Sequence, residues 1–207
     1  MSIVYESSTV VDPLKSILPL RRTLKTNNPI LITFVTKTSS PSLLNHLHKI
    51  FNEIIEEGTT YPQEFFLDYD GFINLFLTHN TFIVLNDNYN ENNNENWDDK
   101  VMGMYYIKPN YPGRCSHICN AGFVVPLKFR NLGIGKIMAE SFLLFAPLLG
   151  YKSCVFNLVF ENNIASIKLW KSLGFKEIGK IPKAGRLKDS DKLIDALMFY
   201  YDFDEKN

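Results

Sequence analysis

The first half of the chain alternates short β-rich runs with one long amphipathic segment. Residues 30–35 (ILITFV) are a compact run of β-branched and other apolar residues, which is typical of a strand. Between Leu43 and Ile55, apolar residues recur every three or four positions and Gly58 follows, a pattern that predicts a helix closed by that glycine. A shorter helix and two more strands are predicted at about 69–78, 81–86 and 101–107.

The second half alternates strands and helices more regularly. Strands are predicted at 120–125, 153–160, about 177–181 and 193–203, and helices at 134 to about 145 and at 165–173. Helices between strands imply βα crossovers, so we expect an α/β (α+β) fold with a mixed sheet. Pro147 disfavours helical backbone at Ala146, and the helix that begins at Ile134 should therefore end or kink there.

A polar segment separates the second and third predicted strands. Residues 86–100 (NDNYNENNNENWDDK), here called the Asn-rich insert, have no periodicity and offer little apolar surface to offset the entropy lost on ordering. We expect a mobile hairpin tip. A metal site built from Asp87, Glu91, Asp98 and Asp99 would lack the spacing and the turn glycine of a calcium loop, so no metal is predicted.

Length and charge narrow the class of protein. A chain of 207 residues can bury one sizeable core and is short for two, so we expect a single domain over residues 1–207 that carries the Asn-rich insert. The 22 basic residues balance the 22 acidic ones and form no long basic run. The sequence therefore predicts a small-molecule partner and neither nucleic acid nor membrane.

The cysteines and the N-terminal residues bear on location. Cys115, Cys119 and Cys154 cannot all pair, which fits a reducing compartment. Residues 1–15 carry an acid and no sustained apolar core, and no apolar run approaches the roughly 18 residues of a membrane span. A cytoplasmic location is expected, with a mitochondrial one left open.

A glycine loop follows the strand predicted at 120–125. In residues 130–136 (RNLGIGK), backbone N–H groups and the positive end of the next helix converge, an arrangement that suits a phosphate. Gly133 and Gly135 leave the backbone uncovered and permit positive φ. An ATP-binding loop would need Ser or Thr where Ile137 stands, and a dinucleotide fingerprint would need glycine where Met138 stands, so both are disfavoured.

The pattern Arg130-x-x-Gly133-x-Gly135 resembles the pyrophosphate-binding signature of the GCN5-related N-acetyltransferases (GNAT), which use acetyl-CoA as cosubstrate. A second stretch, residues 163–175 (NIASIKLWKSLGF), resembles the second motif of the same superfamily in the order and spacing of its residues. An N-cap asparagine, an amphipathic helix and a C-terminal glycine would produce that second pattern without coenzyme A, so a purely local role stays open.

This resemblance implies the GNAT fold, whose mixed, mostly antiparallel central sheet is splayed between the fourth and fifth predicted strands and flanked by helices. The pantetheine arm of acetyl-CoA would enter the gap and pair with main-chain groups around Phe123 and Val125. The chain lacks the general acid and the general base at the positions where many members of the superfamily carry them. Trp170 occupies the usual Tyr position, and the strand at 120–125 contains no Asp or Glu.

Strand alternation suggests what replaces the missing carboxylate. Asn120, Gly122 and Val124 should share one face of their strand. On the strand predicted at 153–160, Asn157 should lie on the face opposite to Phe156 and Leu158. An amide is not a strong base, but its oxygen can accept an N–H bond and orient an amine for attack. Asn120 is therefore a candidate for positioning an acceptor amine.

Six segments resemble a narrower group, the fungal N-acetyltransferases that detoxify proline analogues such as L-azetidine-2-carboxylate. They are residues 58–63 (GTTYPQ), 106–111 (YIKPNY), 114–123 (RCSHICNAGF), 146–152 (APLLGYK), 156–160 (FNLVF) and 181–185 (IPKAG). This resemblance implies an acceptor of the azetidine-2-carboxylate or cis-4-hydroxyproline type, a homodimer, and a site containing Asn120, Asn157 and Asn163. Lys183 and the Asn-rich insert leave the substrate range open.

The predicted site has two parts. Asn120 is the predicted catalytic residue, and Asn120 and Asn157 are expected to bind the acceptor. The predicted acetyl-CoA site comprises Phe123, Val124, Val125, Arg130, Asn131, Leu132, Gly133, Ile134, Gly135, Lys136, Asn157, Asn163 and Ser166.

Two other interpretations stay open for these residues. One keeps the fold and takes a polyamine, aminoglycoside or protein amine as acceptor, and another is a coenzyme A-binding module without catalysis. Cys115-x-His117-x-Cys119 resembles half of a zinc site whose other half is absent, so a structural role is favoured there.

Overall fold

The computed structural model describes residues 12–87, 96–188 and 190–205. Within them the strands form one mixed sheet in the order β1-β2-β3-β4-β5-β6-β8-β7. Their bounds are β1 (Leu20–Thr23), β2 (Pro29–Val35), β3 (Asn80–Asn86), β4 (Val101–Pro109), β5 (Ile118–Val124), β6 (Ser153–Phe160), β7 (Lys176–Gly185) and β8 (Ile194–Asp202). Adjacent strands are antiparallel except β5 and β6, which are parallel.

The helices lie close to their predicted positions. They are α1 (Pro41–Glu57), α2 (Tyr69–Phe76), α3 (Trp97–Lys100), α4 (Ile134–Leu148) and α5 (Ile164–Ser172). The Ser40 side chain caps the start of α1 by accepting the Leu43 N–H, and Gly58 ends it in the left-handed region at φ 65°. The expected helix between Leu43 and Gly58 is therefore confirmed.

Each face of the sheet buries a hydrophobic core. On one face Phe142 of α4 and Trp170 of α5 belong to a cluster of buried residues with the strands. On the other face Phe51 of α1 and Phe76 of α2 form the second cluster with the strands. Helices thus cover both faces, and the expected α/β (α+β) fold with a mixed, mostly antiparallel sheet is confirmed.

The parallel pair β5–β6 is joined only at its start. Ile118 pairs with Ser153 and Cys119 pairs with Cys154, after which the two strands diverge. On its other side β5 stays paired with β4 from Cys119 to Val124. The backbone of β5 therefore borders an open fork, between the strands that were the fourth and fifth predicted from sequence.

Three features differ from expectation. The edge strand β1 was not predicted, because LRRT has no apolar run or alternation to mark it. Helix α4 continues through Pro147 to Leu148, because the proline lies in the last turn, where it removes one backbone donor, and Leu149 still donates to the Phe145 carbonyl at 2.9 Å. In the Asn-rich insert, residues 88–95 lie outside the described residues, and 97–100 form the helical turn α3.

Within the described ranges, no helix combines the length and the apolar character that crossing a bilayer would require.

Candidate active site

The glycine loop forms one wall of a cavity of about 430 Å³. Gly133 is the N-cap of α4 with φ 88°, and no side chain caps this end of the helix. A Cβ atom on Gly133 would meet no atom within 4 Å, and one on Gly135 would meet only Leu169, at 4.0 Å. The start of α4 thus offers backbone donors beside open space, which is what a phosphate group requires.

Most of the predicted acetyl-CoA residues line this first cavity. They are Phe123, Val124, Val125, Arg130, Asn131, Gly133, Ile134, Gly135, Lys136 and Asn163. Asn157 and Ser166 line a second cavity instead, and Leu132 lines neither. The structure therefore brings the loop and the second motif together at one end of the fork.

Arg130 has a partner that sequence reasoning missed. Its guanidinium forms a two-pronged ion pair with Glu57 at the end of α1, at 2.7 and 2.6 Å, and its Nε donates to the Val125 carbonyl at 3.2 Å. The hydrogen bonds from Arg130 lower the pKa of Glu57, and the same contact raises the pKa of Arg130. The side chain of Arg130 therefore holds the loop against α1. Its backbone N–H donates to the Leu127 carbonyl at 3.2 Å, so neither group of Arg130 is directed at a phosphate.

Changing Glu57 to Gln should destabilise the protein in a pH-dependent way. Because folding lowers the pKa of Glu57, its stabilising effect is complete above its unfolded pKa of 4.5 and is lost as pH falls through the folded pKa. The two side chains are 30% and 33% exposed, so we expect a loss of about 1 kcal/mol at pH 7. Urea unfolding at pH 7 and pH 3 would show it, and an equal difference at both values would refute this role for the pair.

A second cavity of about 380 Å³ lies at the fork itself. It is lined by Asn120 of β5, Asn157 of β6 and Trp170 of α5. Thr60, Phe123 and Asn163 line both cavities, so the two are neighbours along the gap between β5 and β6. An elongated ligand could occupy the first cavity and present its reactive end to the second.

The two predicted asparagines are joined through a third. Asn120 Nδ2 donates to Asn110 Oδ1 at 3.1 Å, and Asn157 Nδ2 donates to the same oxygen at 2.5 Å. Asn110 Nδ2 in turn donates to Asn157 Oδ1 at 2.9 Å. Asn110 follows the end of β4 and had no assigned role, although it lies in one of the six segments quoted above. The shared oxygen fixes the orientation of both predicted amides.

Two tyrosines lie on the face of the sheet that carries Asn120 and line the same cavity. Tyr61 donates from its hydroxyl to the Phe123 carbonyl at 3.3 Å, and Tyr106 is 7% exposed. Burial raises the pKa of Tyr106 to about 12 and that of Tyr61 well above its usual value, so both hydroxyls stay protonated at neutral pH. Both tyrosines line the second cavity, and the sequence analysis assigned neither of them to the site because buried aromatic residues usually belong to a hydrophobic core.

Gly122 allows these rings to approach β5. A Cβ there would lie 2.6 Å from the Tyr61 hydroxyl and 2.7 Å from the Tyr106 ring. Gly122→Ala should therefore destabilise the protein by about 1–3 kcal/mol and raise the acceptor KM, since the rings must move. Thermal unfolding and steady-state kinetics would measure both effects. An unchanged midpoint with an unchanged KM would contradict the close packing.

The second motif serves a local role that was left open from sequence. Asn163 Oδ1 accepts the Ser166 N–H at 3.1 Å and so caps α5. Trp170 is 4% exposed and packs between Phe156 and Phe175, with ring centroids 4.5 and 5.1 Å away. Coenzyme A contacts by Asn163 and Ser166 remain predictions.

The candidate metal ligands are occupied with other contacts. Asp87 pairs with Arg21, Asp98 accepts from Lys49 at 3.3 Å, and Glu91 lies outside the described residues. Asp99 likewise accepts from Lys128 at 2.9 Å. Over the described ranges, no group of three or more His, Cys, Asp or Glu side chains is arranged to hold a metal ion.

The sequence of the chain matches that of a known protein family. The model of the acetyltransferase (GNAT) family matches residues 44–175, which is more than half of the chain. The chain therefore belongs to the acetyltransferase (GNAT) family, as the resemblance of its sequence motifs predicted.

Two relatives cover different shares of the chain. The N-acetyltransferase aca1 of Schizosaccharomyces pombe is 53% identical over 107 residues, which is 52% of this chain and 51% of that protein. Protein SPT10 of Saccharomyces cerevisiae is 28% identical over 200 residues, with 78% of this chain and 31% of that protein covered. The chain thus spans about half or less of the length of these relatives.

Solved structures share the fold at low sequence identity. A GCN5-related N-acetyltransferase from Kribbella flavida has a TM-score of 0.72 at 24% identity, over 84% of this chain and 97% of that one. The acetyltransferase yncA from Salmonella typhimurium, whose structure contains its cofactor acetyl-CoA, has a TM-score of 0.69 at 16% identity, over 86% and 95%. These likenesses establish the fold.

Proposed function

We propose that the protein transfers an acetyl group from acetyl-CoA to the secondary amine of a small cyclic imino acid, of the azetidine-2-carboxylate or cis-4-hydroxyproline type. The observation that carries this proposal is the position of Asn120. Its amide lines the cavity at the fork and is held by Asn110, next to the cavity formed by the glycine loop. A detoxifying or proline-metabolic role would follow from such acceptors.

The first cavity fits coenzyme A on the evidence of its own backbone. The uncapped start of α4 supplies N–H donors for a pyrophosphate, through Gly133 and Gly135 and their neighbours. Beyond Cys119 the edge of β5 that faces β6 is unpaired, so an extended chain of amides can add to it as a strand would. When bound, acetyl-CoA supplies the acetyl thioester, and these backbone groups hold it along the fork.

Asn120 positions the acceptor rather than deprotonating it. Its Oδ1 accepts the Ala121 N–H at 2.7 Å, and a carbonyl oxygen has a second lone pair that can accept from an amine. Among the residues that the structure describes, no Asp, Glu or His lines the second cavity, so the amine is proposed to lose its proton to water. Tyr61 and Tyr106 lie in this cavity and are protonated, but burial raises the pKa of each and makes it a weak acid. Their hydroxyl groups can hydrogen-bond to the departing thiolate, which takes its proton from water.

A different amine acceptor or a non-catalytic role would keep the same fold. A polyamine or aminoglycoside site needs acids to bind the positive charges of its ligand, and no acid of the described part of the chain lines the cavity at the fork. Trp170 in place of the usual Tyr is the feature that favours a coenzyme A-binding module without catalysis. Both alternatives give outcomes that the following assay distinguishes.

The assay measures thiol release from acetyl-CoA with a panel of amines. We expect turnover with azetidine-2-carboxylate and cis-4-hydroxyproline, and little with spermidine, an aminoglycoside or a peptide amine. Turnover with one of the latter alone would replace the proposed acceptor. Binding of acetyl-CoA with no turnover on any amine would favour the non-catalytic module.

The assembly is proposed to be a homodimer of single domains, from the resemblance to the fungal enzymes. Light scattering on the purified chain would measure the mass in solution, and a monomer would contradict it.

A further inference from the structure

Lys108 lies beside the proposed amine holder on the neighbouring strand. It is the register partner of Asn120 in the antiparallel pair β4–β5, so both side chains project from the same face of the sheet. Its Nζ is 5.2 Å from the ring centroid of Tyr106, which lines the cavity at the fork. Lys108 is not itself among the residues that line this cavity, but its ammonium group lies against Tyr106, which is.

The charge of Lys108 is not balanced within the described residues. It is partly buried, and across residues 12–87, 96–188 and 190–205 no carboxylate forms an ion pair with it. Other lysines do have such partners: Lys180 contacts both Glu161 and Asp195, each at 2.8 Å. The Tyr106 ring gives this ammonium group a cation–π contact but no negative charge, so Lys108 remains able to bind a counter-ion.

The nearest titratable neighbours cannot supply a negative charge. Burial, with a smaller effect from Lys108, lowers the pKa of His79 to about 4, so His79 is neutral at neutral pH. Tyr106 stays protonated because burial raises its pKa to about 12. Burial also lowers the pKa of Lys108 itself, as expected for a cation short of partners. This side of the cavity is therefore positive.

We infer that Lys108 is a specificity-determining residue that binds the carboxylate of the acceptor while Asn120 holds its amine. Cross-strand partners lie about 4.5–5.5 Å apart at Cα, so the two side chains can reach groups attached to one carbon atom. The acceptors are then α-amino or α-imino acids with a free carboxylate. This inference rests on the proposed function and adds the residue that selects acceptors by charge.

The test compares a charged acceptor with its neutral counterpart. The probes are L-azetidine-2-carboxylate and L-azetidine-2-carboxamide, which share the ring and differ in carrying a charged carboxylate or a neutral amide; their KM values are compared at a pH that gives both ring amines the same neutral fraction. With the unchanged protein, we expect the carboxamide to have a KM at least about tenfold higher. In Lys108→Met, the KM for the carboxylate should rise by a similar factor while the carboxamide KM changes little. Lys108→Arg should restore part of the difference because it keeps the charge.

A matched control and a fold check accompany this comparison. Lys25, exposed in the turn between β1 and β2, can be changed to Met as the control and should leave both KM values unchanged. Acetyl-CoA binding, measured by calorimetry, should be retained in each variant. If Lys108→Met does not fold, Lys108→Gln and the two-acceptor comparison on the unchanged protein still decide the matter.

The outcomes separate this inference from the proposed function. If another amine with an α-carboxylate is acetylated and the cyclic imino acids are not, the proposed acceptor class fails, and the same comparison is made with that amine and its amide. Equal loss on both probes would make Lys108 merely structural. A preference of the unchanged protein for acceptors without a carboxylate, or equal KM values in Lys108→Met and the unchanged protein, would overturn the inference.

Discussion

Replacing Asn120 with alanine should lower kcat by on the order of 10²-fold and leave acetyl-CoA binding unchanged. The loss follows from misplacing the amine, because orientation at the reacting carbon is sensitive to displacements of about 1 Å. Asn120 lines the second cavity and is absent from the lining of the first, so the glycine loop should be unaffected. Steady-state kinetics and calorimetry on the same sample would measure the two effects.

Asn74→Ala provides the matched control, because Asn74 is an exposed asparagine on α2 that lines neither cavity. It should leave kcat unchanged. Asn110→Ala should fall between the two, since it frees Asn120 and Asn157 without removing either amide. Full turnover in Asn120→Ala would remove this amide from its proposed role.

Gly135→Glu should raise the KM for acetyl-CoA by on the order of 10²-fold without unfolding the protein. The new carboxylate would lie in the first cavity, where a pyrophosphate is proposed to bind. Repulsion between two juxtaposed negative charges would weaken binding by several kcal/mol. The fold should tolerate the change because Gly135 does not require positive φ and its Cβ would touch only Leu169, at 4.0 Å. Binding of acetyl-CoA and the thermal midpoint would be measured together.

The control is Gly179→Glu on the edge strand β7, where the Cβ would meet Met198 at an ordinary 3.6 Å. It adds the same charge far along the sheet from the glycine loop and should leave the KM for acetyl-CoA unchanged. If Gly135→Glu bound acetyl-CoA as the unchanged protein does, the loop would not be the pyrophosphate site.

The sequence was most informative where local patterns decide the structure. The strand at 153–160 and the helix closed by Gly58 were predicted almost to the residue, because each has a clear period and a marked end. The strand β1 was missed because its pairing with β2 is a tertiary effect that LRRT does not encode locally. Pro147 did not end α4 at Ala146, because Leu149 still donates to the Phe145 carbonyl past the proline.

In the candidate site, too, residues marked by a local pattern could be predicted and residues that depend on tertiary contacts could not. Asn120 could be selected by alternation on its strand, and Gly133 and Gly135 by their place before a helix. Glu57, Asn110 and Lys108 could not, because each acquires its significance from a partner on another strand or helix. Arg130 illustrates the consequence: its side chain meets a carboxylate 73 residues away, whereas the sequence motif alone assigned it to a phosphate.

The most direct test of the account is the product formed from acetyl-CoA and L-azetidine-2-carboxylate by the unchanged protein. Mass spectrometry and NMR should show an acetyl group on the ring nitrogen, with one thiol released for each molecule acetylated. Thiol release without the N-acetylated product, or neither event while acetyl-CoA binds, would contradict transfer to an amine held by Asn120.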